Sequence, residues 1–293
     1  SPDMHVDVYP MRVGGCLTCG LIQLITRIDP VRFYTNYATP SEWKNEPHLG
    51  SLLERLQPLV DKGARILDVG CNDGIFLGGL VREGWKNVSG IEPTQNTAEA
   101  ARNRGFDVLQ KNLDLVFAQE ITQESGLFDC VTVRQVLEHI HDLTDFGRAL
   151  NQLLSQDGVL VIEVPDSRTN VLHGDYALWE EHVNYFTPVT LRAYLTAHGF
   201  AILDSYTSAF SGVCLTVVAQ KVASPNQGDE RMQVSPDKLN LEVRNFRSWA
   251  RGYAPLRNRV REDLFDLSAS CPVILYGVGS RSSSFVNIMG ISS

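Results

Sequence analysis

The stretch Arg65-Ile-Leu-Asp-Val-Gly-Cys-Asn-Asp-Gly-Ile-Phe-Leu77 decides the fold, because it joins an apolar strand to a glycine-bearing turn and then to a helix. A lone acid, Glu92, closes the next strand in Val88-Ser-Gly-Ile-Glu-Pro93. In open α/β sheets, ligands sit beyond the carboxyl ends of the strands. Glycine there lets the backbone approach closely, and a second-strand acid accepts ribose hydroxyls. The two segments therefore describe a nucleoside-binding crevice. Asn72 stands where the second glycine of a dinucleotide fingerprint would be, which turns the reading away from a pyrophosphate ligand. Glu92 follows Asp68 by 24 residues, near the ~20-residue offset expected of a ribose-binding acid.

Working outward, apolar runs alternate with amphipathic segments from Ala64 to Lys221, the pattern of a parallel sheet covered by helices. The expected strands are Arg65–Val69, Asn87–Glu92, Asp107–Leu109, Phe128–Arg134, Gly158–Glu163, Ala201–Thr207 and Cys214–Gln220. Helices are expected near Ser51–Asp61, with Pro58 kinking or ending it, and near Gly74–Glu83, Thr94–Arg104, Leu143–Leu154 and Pro188–His198. This predicts a doubly wound, seven-stranded Rossmann-like α/β sheet whose last two strands form an antiparallel pair. Residues 1–50 read as an irregular N-terminal arm, and 51–222 as the sheet domain. The polar stretch after Lys221 reads as a linker, followed by a charged helix over roughly Ser235–Leu267. A strand at Pro272–Tyr276 and the turn Gly277-Val-Gly279 then open a further α/β unit in 223–293 that is expected to be cut short.

The chain has 293 residues and a formal net charge of -8, which argues against a nucleic-acid partner and favours a small-molecule substrate. No apolar stretch reaches membrane-spanning length and no signal peptide is evident, so a cytoplasmic protein without membrane contact is expected. The six cysteines are scattered except for Cys16 and Cys19, a Cys-x-x-Cys pair that raises a metal or redox reading.

Phe128-Asp-Cys-Val-Thr-Val-Arg-Gln-Val-Leu-Glu-His-Ile140 resembles the fourth motif of class I S-adenosylmethionine-dependent methyltransferases. Ile66–Leu77 resembles their first motif, and Glu92 their acidic strand end. The resemblance implies that Asp68, Gly70 and Asn72, with Gly74 at the helix entry, hold the methionine moiety. Glu92 would hold the ribose, and Lys111, Asn112 and Arg134 the adenine side. Two more segments narrow it. Tyr9–Leu24 looks like the second half of the zinc-binding module of nucleotide-sugar C-methyltransferases, which act on keto-deoxysugars. Glu180-Glu-His-Val-Asn-Tyr-Phe-Thr-Pro188 resembles their Glu-His-x-x-Tyr-Phe signature, and Val273–Gly290 the opening of their C-terminal Rossmann-like domain. The resemblance implies structural zinc at Cys16 and Cys19. A tetrahedral site needs four ligands, though, and the second Cys pair is missing, leaving His5 or His48 as candidates or the thiols free.

Carbon methylation beside a ketone needs a base, then an enolate that attacks the methyl donor. His182 is the base candidate, since histidine titrates near neutrality, and Glu181 beside it tunes its orientation or protonation. In an extended segment Asn184 shares a face with His182 and could steady the ring or substrate, while Tyr185 points to the opposite face. Tyr37 matches the family's substrate-facing tyrosine and would hydrogen-bond a developing oxyanion, with Tyr34 as its rival. Tyr176 and Trp179 either line a sugar pocket or cap the sheet. The Glu138, His139 and His141 group invites a metal, but its Leu-Glu-His setting resembles the methyltransferase scaffold and the metal is set aside. Rival readings are O- or N-methylation of another small metabolite and a degenerate methyltransferase fold used as a binding module.

Overall fold

The computed structural model describes residues 11–26, 48–176, 178–210, 212–223, 230–274 and 280–291. It opens with a short antiparallel hairpin, β1 (Val13–Gly15) and β2 (Ile22–Leu24), where the sequence suggested an irregular arm.

The main sheet is the expected one. Strands β3 (Arg65–Val69), β4 (Asn87–Ile91), β5 (Asp107–Leu109), β6 (Phe128–Arg134) and β7 (Leu154–Pro165) run parallel. Strand β8 (Asn184–Tyr185) leaves this sheet and pairs with β2. Strands β9 (Phe200–Ala209) and β10 (Val213–Lys221) close the main sheet antiparallel, giving the order β5-β4-β3-β6-β7-β10-β9. From β3 the chain steps outward to β4 and β5, then returns to lay β6 on the other side of β3. That reversal makes a crevice between β3 and β6, where doubly wound sheets bind ligands.

Both faces of the sheet are covered because its central strands offer apolar side chains to both sides. On one face α1 (His48–Leu56), α2 (Ile75–Arg82) and α3 (Gln95–Asn103) bury Leu52, Leu56, Leu77, Leu80 and Ala98 against Ile66, Cys130 and Val161. On the other, α4 (Leu115–Ser125), α5 (Leu143–Leu153) and α7 (Pro188–Ala197) bury Phe117, Ile121, Leu150, Leu191 and Leu195 against Leu67, Val131 and Ile162. Between α5 and α7 comes the short helix α6 (Ser167–His173).

Several elements differ from expectation. Helix α1 starts at His48 rather than Ser51 and ends before Pro58, since the residue preceding a proline is disfavoured in helical conformation. Helix α4 was not expected, although Asp114 caps its start by accepting from Phe117 N at 2.7 Å and Gly126 ends it. Its exposed Val116 blurs the apolar period. Beyond the sheet, α8 (Pro236–Ser270) runs through Pro255, and α9 (Ser280–Met289) docks on it through Tyr253 Oη donating to Ile288 O at 2.7 Å. Trp249 of α8 stacks on Tyr176 at 4.9 Å, and Tyr176 Oη donates to Trp249 O at 2.6 Å. The strand expected at Pro272–Tyr276 is absent from Pro272–Ile274, which are exposed and irregular; residues 275–279 lie outside the described residues.

Candidate active site

The β3 turn is built by backbone conformations that favour glycine. Gly70 has φ 78°, Gly74 φ 80° and Asn72 φ 50°, all left-handed. Gly70 has a second reason to lack a side chain: a Cβ there would stand 2.3 Å from Val136 Cγ2. The space beside it is therefore taken by the turn after β6, not left to a ligand alone. Gly70 N and Cys71 N donate to Ile91 O at 2.7 and 3.1 Å, tying the turn to β4. Cys71 is buried against Gly90, and burial pushes its thiol pKa up, so it is filler rather than a nucleophile.

Glu92 stands just beyond β4, buried, with its carboxylate turned to the loop. Oε2 accepts from Asn72 N at 3.0 Å and Oε1 from Thr94 N at 2.8 Å. A carboxylate offers about four lone-pair sites, so each oxygen keeps one for a ribose hydroxyl. This acceptor set fits the ribose hydroxyls of a nucleoside. Asp68 is buried in β3 and accepts from Thr132 Oγ1 at 2.6 Å. Lys111 and Asn112 follow β5 and are exposed, Lys111 pairing with Glu120 at 2.9 Å.

Arg134 lies apart from them. It ends β6, with two strands between it and β5, and its guanidinium sits 4.5 Å over the Phe76 ring and 3.5 Å from Glu163 Oε1. Glu163 on β7 is fully buried and also engages His48 Nε2 at 3.2 Å, Gln135 Nε2 at 3.3 Å and Thr216 Oγ1 at 3.4 Å. Burial alone would raise its pKa; the His48 hydrogen bond and the Arg134 charge outweigh this and lower it. Gln135, left-handed at φ 53°, then turns the chain so that Val136 lies over Gly70.

The next turn, a 3-10 helix over Leu137–His139, meets the Glu-His segment. Val183 N donates to Glu138 O at 2.8 Å, and His139 Nδ1 contacts Glu181 O at 2.9 Å. The Asn184 amide donates to Leu137 O at 3.2 Å and Ile140 O at 2.7 Å, while its oxygen accepts from Gln23 Nε2 at 2.9 Å. Asn184 thus fastens backbone turns together, a correction to the expectation that it steadies the histidine or substrate; it is committed to three bonds. His182 is buried with its ring edge-on to Trp179 and His139, at 4.7 and 4.8 Å. Trp179 packs on the histidine, and Tyr185 Oη bridges Trp179 N and O at 3.0 and 3.2 Å. Burial, then His139, lowers the His182 pKa to about 3, so the ring is neutral with a free lone pair. The two motifs, 42 residues apart, meet beyond the β6 end.

A family model described as a methyltransferase domain matches residues 43–205, more than half of the chain. The chain belongs to that methyltransferase family. With its sheet order, glycine turn and Glu92, it is a class I S-adenosylmethionine-dependent methyltransferase. The methyltransferase is 24% identical to the C-methyltransferase NovU of Streptomyces niveus over 303 residues, covering 97% of this chain and 70% of that protein. It is 26% identical to a ubiquinone biosynthesis O-methyltransferase of Azorhizobium caulinodans, over 54% of this chain and 66% of the relative. Among solved structures, a SAM-bound magnesium protoporphyrin IX methyltransferase from Synechocystis matches with a TM-score of 0.45 at 17% identity, covering 60% of this chain and 78% of that one.

In this methyltransferase, Cys16 and Cys19 flank the β1–β2 turn, where Gly20 N donates to Cys16 O at 2.9 Å. Burial pushes the Cys16 thiol up, but hydrogen bonds from the Cys19 and Thr18 backbone outweigh it and its pKa is lowered. Among the described residues no His, Cys, Asp or Glu joins them in a metal-sized group. His48 is not a third ligand, because it is held at Glu163. His5, Tyr34 and Tyr37 lie outside the described residues. Among the described residues, two thiolates make only half of a tetrahedral set and do not by themselves fit zinc. The described residues contain no helix long and apolar enough to cross a membrane.

Sequence reasoning missed Glu163 and Gln135, and weighed His48 only as a zinc ligand. A charge inside an apolar strand, Val159-Leu-Val-Ile-Glu-Val164, was the available signal. Because the folded pKa of Glu163 is depressed, its contribution to stability is present above the ordinary carboxylate range and lost as pH falls through the lowered value. Acid titration of unfolding should show this: Glu163→Gln is expected to lower stability at pH 7 and to flatten the loss of stability below pH ~4. Parallel acid slopes for the two proteins would refute the assignment.

Proposed function

We propose that this methyltransferase places a methyl group on a ring carbon of a nucleotide-linked keto-deoxysugar. The observation that carries the reading is the stitching of Leu137–Ile140 to Glu181–Asn184, which sets a buried neutral histidine at the mouth of the β3–β6 crevice. Carbon as the acceptor is supported by the similarity to NovU along nearly the whole chain. The sugar class rests on the resemblance of Glu181-His182-x-x-Tyr185-Phe186.

S-Adenosylmethionine, when bound, supplies an electrophilic methyl on a sulfonium. Glu92 would accept the ribose hydroxyls, and Asp68, Gly70, Asn72 and Gly74 would hold the methionine end. Lys111 and Asn112 would border the adenine, with Arg134 nearer the methionine end, given its place beside Phe76 at the β6 terminus. His182 would take the proton beside the ketone, Glu181 would fix His139 through its carbonyl, and Tyr37 would bond the enolate oxygen. Residues 223–293 would belong to the substrate side.

Incubating the full chain with S-adenosylmethionine and nucleotide-linked 4-keto-6-deoxyhexoses, then locating the new methyl by NMR, tests this. A methyl on carbon supports it; a methyl on oxygen favours the second reading, O-methylation, which the ubiquinone-pathway relatives support.

A further inference from the structure

We propose that the Glu138 carboxylate is the proton store behind His182: it receives the proton that His182 draws from the substrate carbon. The inference rests on the proposed enolate chemistry and deepens it. Glu138 is 2% exposed, and neither carboxylate oxygen has a hydrogen-bond partner among the described residues. Buried carboxylates without partners are rare and call for an explanation. Its oxygen lies 3.9 Å from His139 Nε2, and one ligand atom from each of Glu138, His139 and His182 lies within 4.8 Å of the others.

The histidines explain why a second group is needed. His139 Nδ1 is occupied by Glu181 O, so only Nε2 faces the cluster. Both rings are held neutral by burial, with His139 lowered to about 4 and His182 to about 3. A histidine so reluctant to become imidazolium cannot keep a proton. Burial, then the charges of Glu163 and Glu181, raises Glu138 to about 8, which makes it the most basic member of the group near neutrality. Cys214 of β10 also faces Glu138, and its thiol is pushed up further by that carboxylate.

The proton balance closes. The C–H bond beside the ketone breaks, its electron pair passing to the carbonyl oxygen and its proton to a His182 ring nitrogen. The proton moves on to the Glu138 carboxylate, forming O–H and restoring the neutral ring. As the enolate carbon forms its C–C bond, the sulfonium C–S bond breaks with its pair left on sulfur, and Glu138 releases the proton to water once product departs.

Solvent-deuterium exchange into the carbon beside the ketone tests this, using 4-keto-6-deoxyhexoses linked to thymidine, uridine, guanosine and cytidine diphosphates. Wild-type exchange should rise with pH through about 8. Glu138→Gln should lose that limb and fall at least about 100-fold at pH 8, with unchanged S-adenosylmethionine affinity, and Glu138→Asp should restore part of it. An independent readout needs no substrate. A raised folded pKa means that stability is lost as pH rises from the ordinary carboxylate range through about 8, so the Tm advantage of Glu138→Gln should grow from pH 5 to 8. A flat Tm difference overturns the proposal, as does exchange that survives in Glu138→Gln with its pH limb intact. A stoichiometric divalent cation in the purified wild type, lost in Glu138→Gln, would make the group a metal site and also overturn it. No exchange in the wild type sinks the carbon chemistry and the proton store together, whereas equal exchange in both proteins sinks the proton store alone.

Discussion

Glu92→Ala is expected to weaken S-adenosylmethionine binding about a hundredfold, measured by calorimetry. The carboxylate does two jobs at once. It accepts Asn72 N and Thr94 N, which fixes the left-handed turn, and it leaves lone pairs for the ribose. Hydrogen bonds to a charged group contribute ~1.5–3 kcal/mol each, so losing the ribose pair removes about 3 kcal/mol or more of binding, a factor of ~100. Glu92→Asp should recover only part of this, because the shorter side chain cannot reach both the turn and the ligand. An affinity within threefold of wild type for Glu92→Ala would refute the nucleoside assignment of this crevice. Circular dichroism on the same samples separates lost binding from lost fold.

His182→Ala should lower the rate of methyl transfer about a thousandfold while leaving S-adenosylmethionine affinity within a factor of two or three. General bases contribute ~100 to 10,000-fold, and about a thousandfold is the middle of that range. The split between rate and affinity matters, because Glu92 follows β4 on one side of β3 whereas the histidine segment is stitched to the turn after β6 on the other. Turnover within tenfold of wild type would remove His182 from the proposed mechanism. The contrast between the two variants maps the crevice into a cofactor half and a substrate half.

The main sheet was legible because its central parallel strands are largely apolar runs with both faces buried. Arg65–Val69 and Phe128–Arg134 have the expected limits for this reason, and Asp107–Leu109, which buries only Val108, has them as well. The second sheet was not legible. Strand β8 is two residues long and acquires its partner from β2, so no local period marks it. The role of Asn184 was hidden in the same way. A side chain's face can be read from alternation, but its partners depend on where Leu137, Ile140 and Gln23 arrive in space. Glu138 was noticed only as one of a possible ligand group, since nothing local tells a buried acid from a solvated one. Arg134 was placed on the adenine side from motif order alone, whereas sheet order sets two strands between it and Lys111.

The bond from Gln23 to Asn184 closes a loop of 161 residues. Long-range closures of this kind are entropically slow to form and stabilise only once their ends are already positioned. The proposed base therefore belongs to the last part of the architecture to consolidate: its segment needs the amino-terminal hairpin on one side and the turn after β6 on the other. A partly folded chain could acquire the nucleoside crevice early and remain chemically silent, so that catalytic competence in this enzyme reports on completion of the whole chain's assembly rather than on the formation of its central sheet.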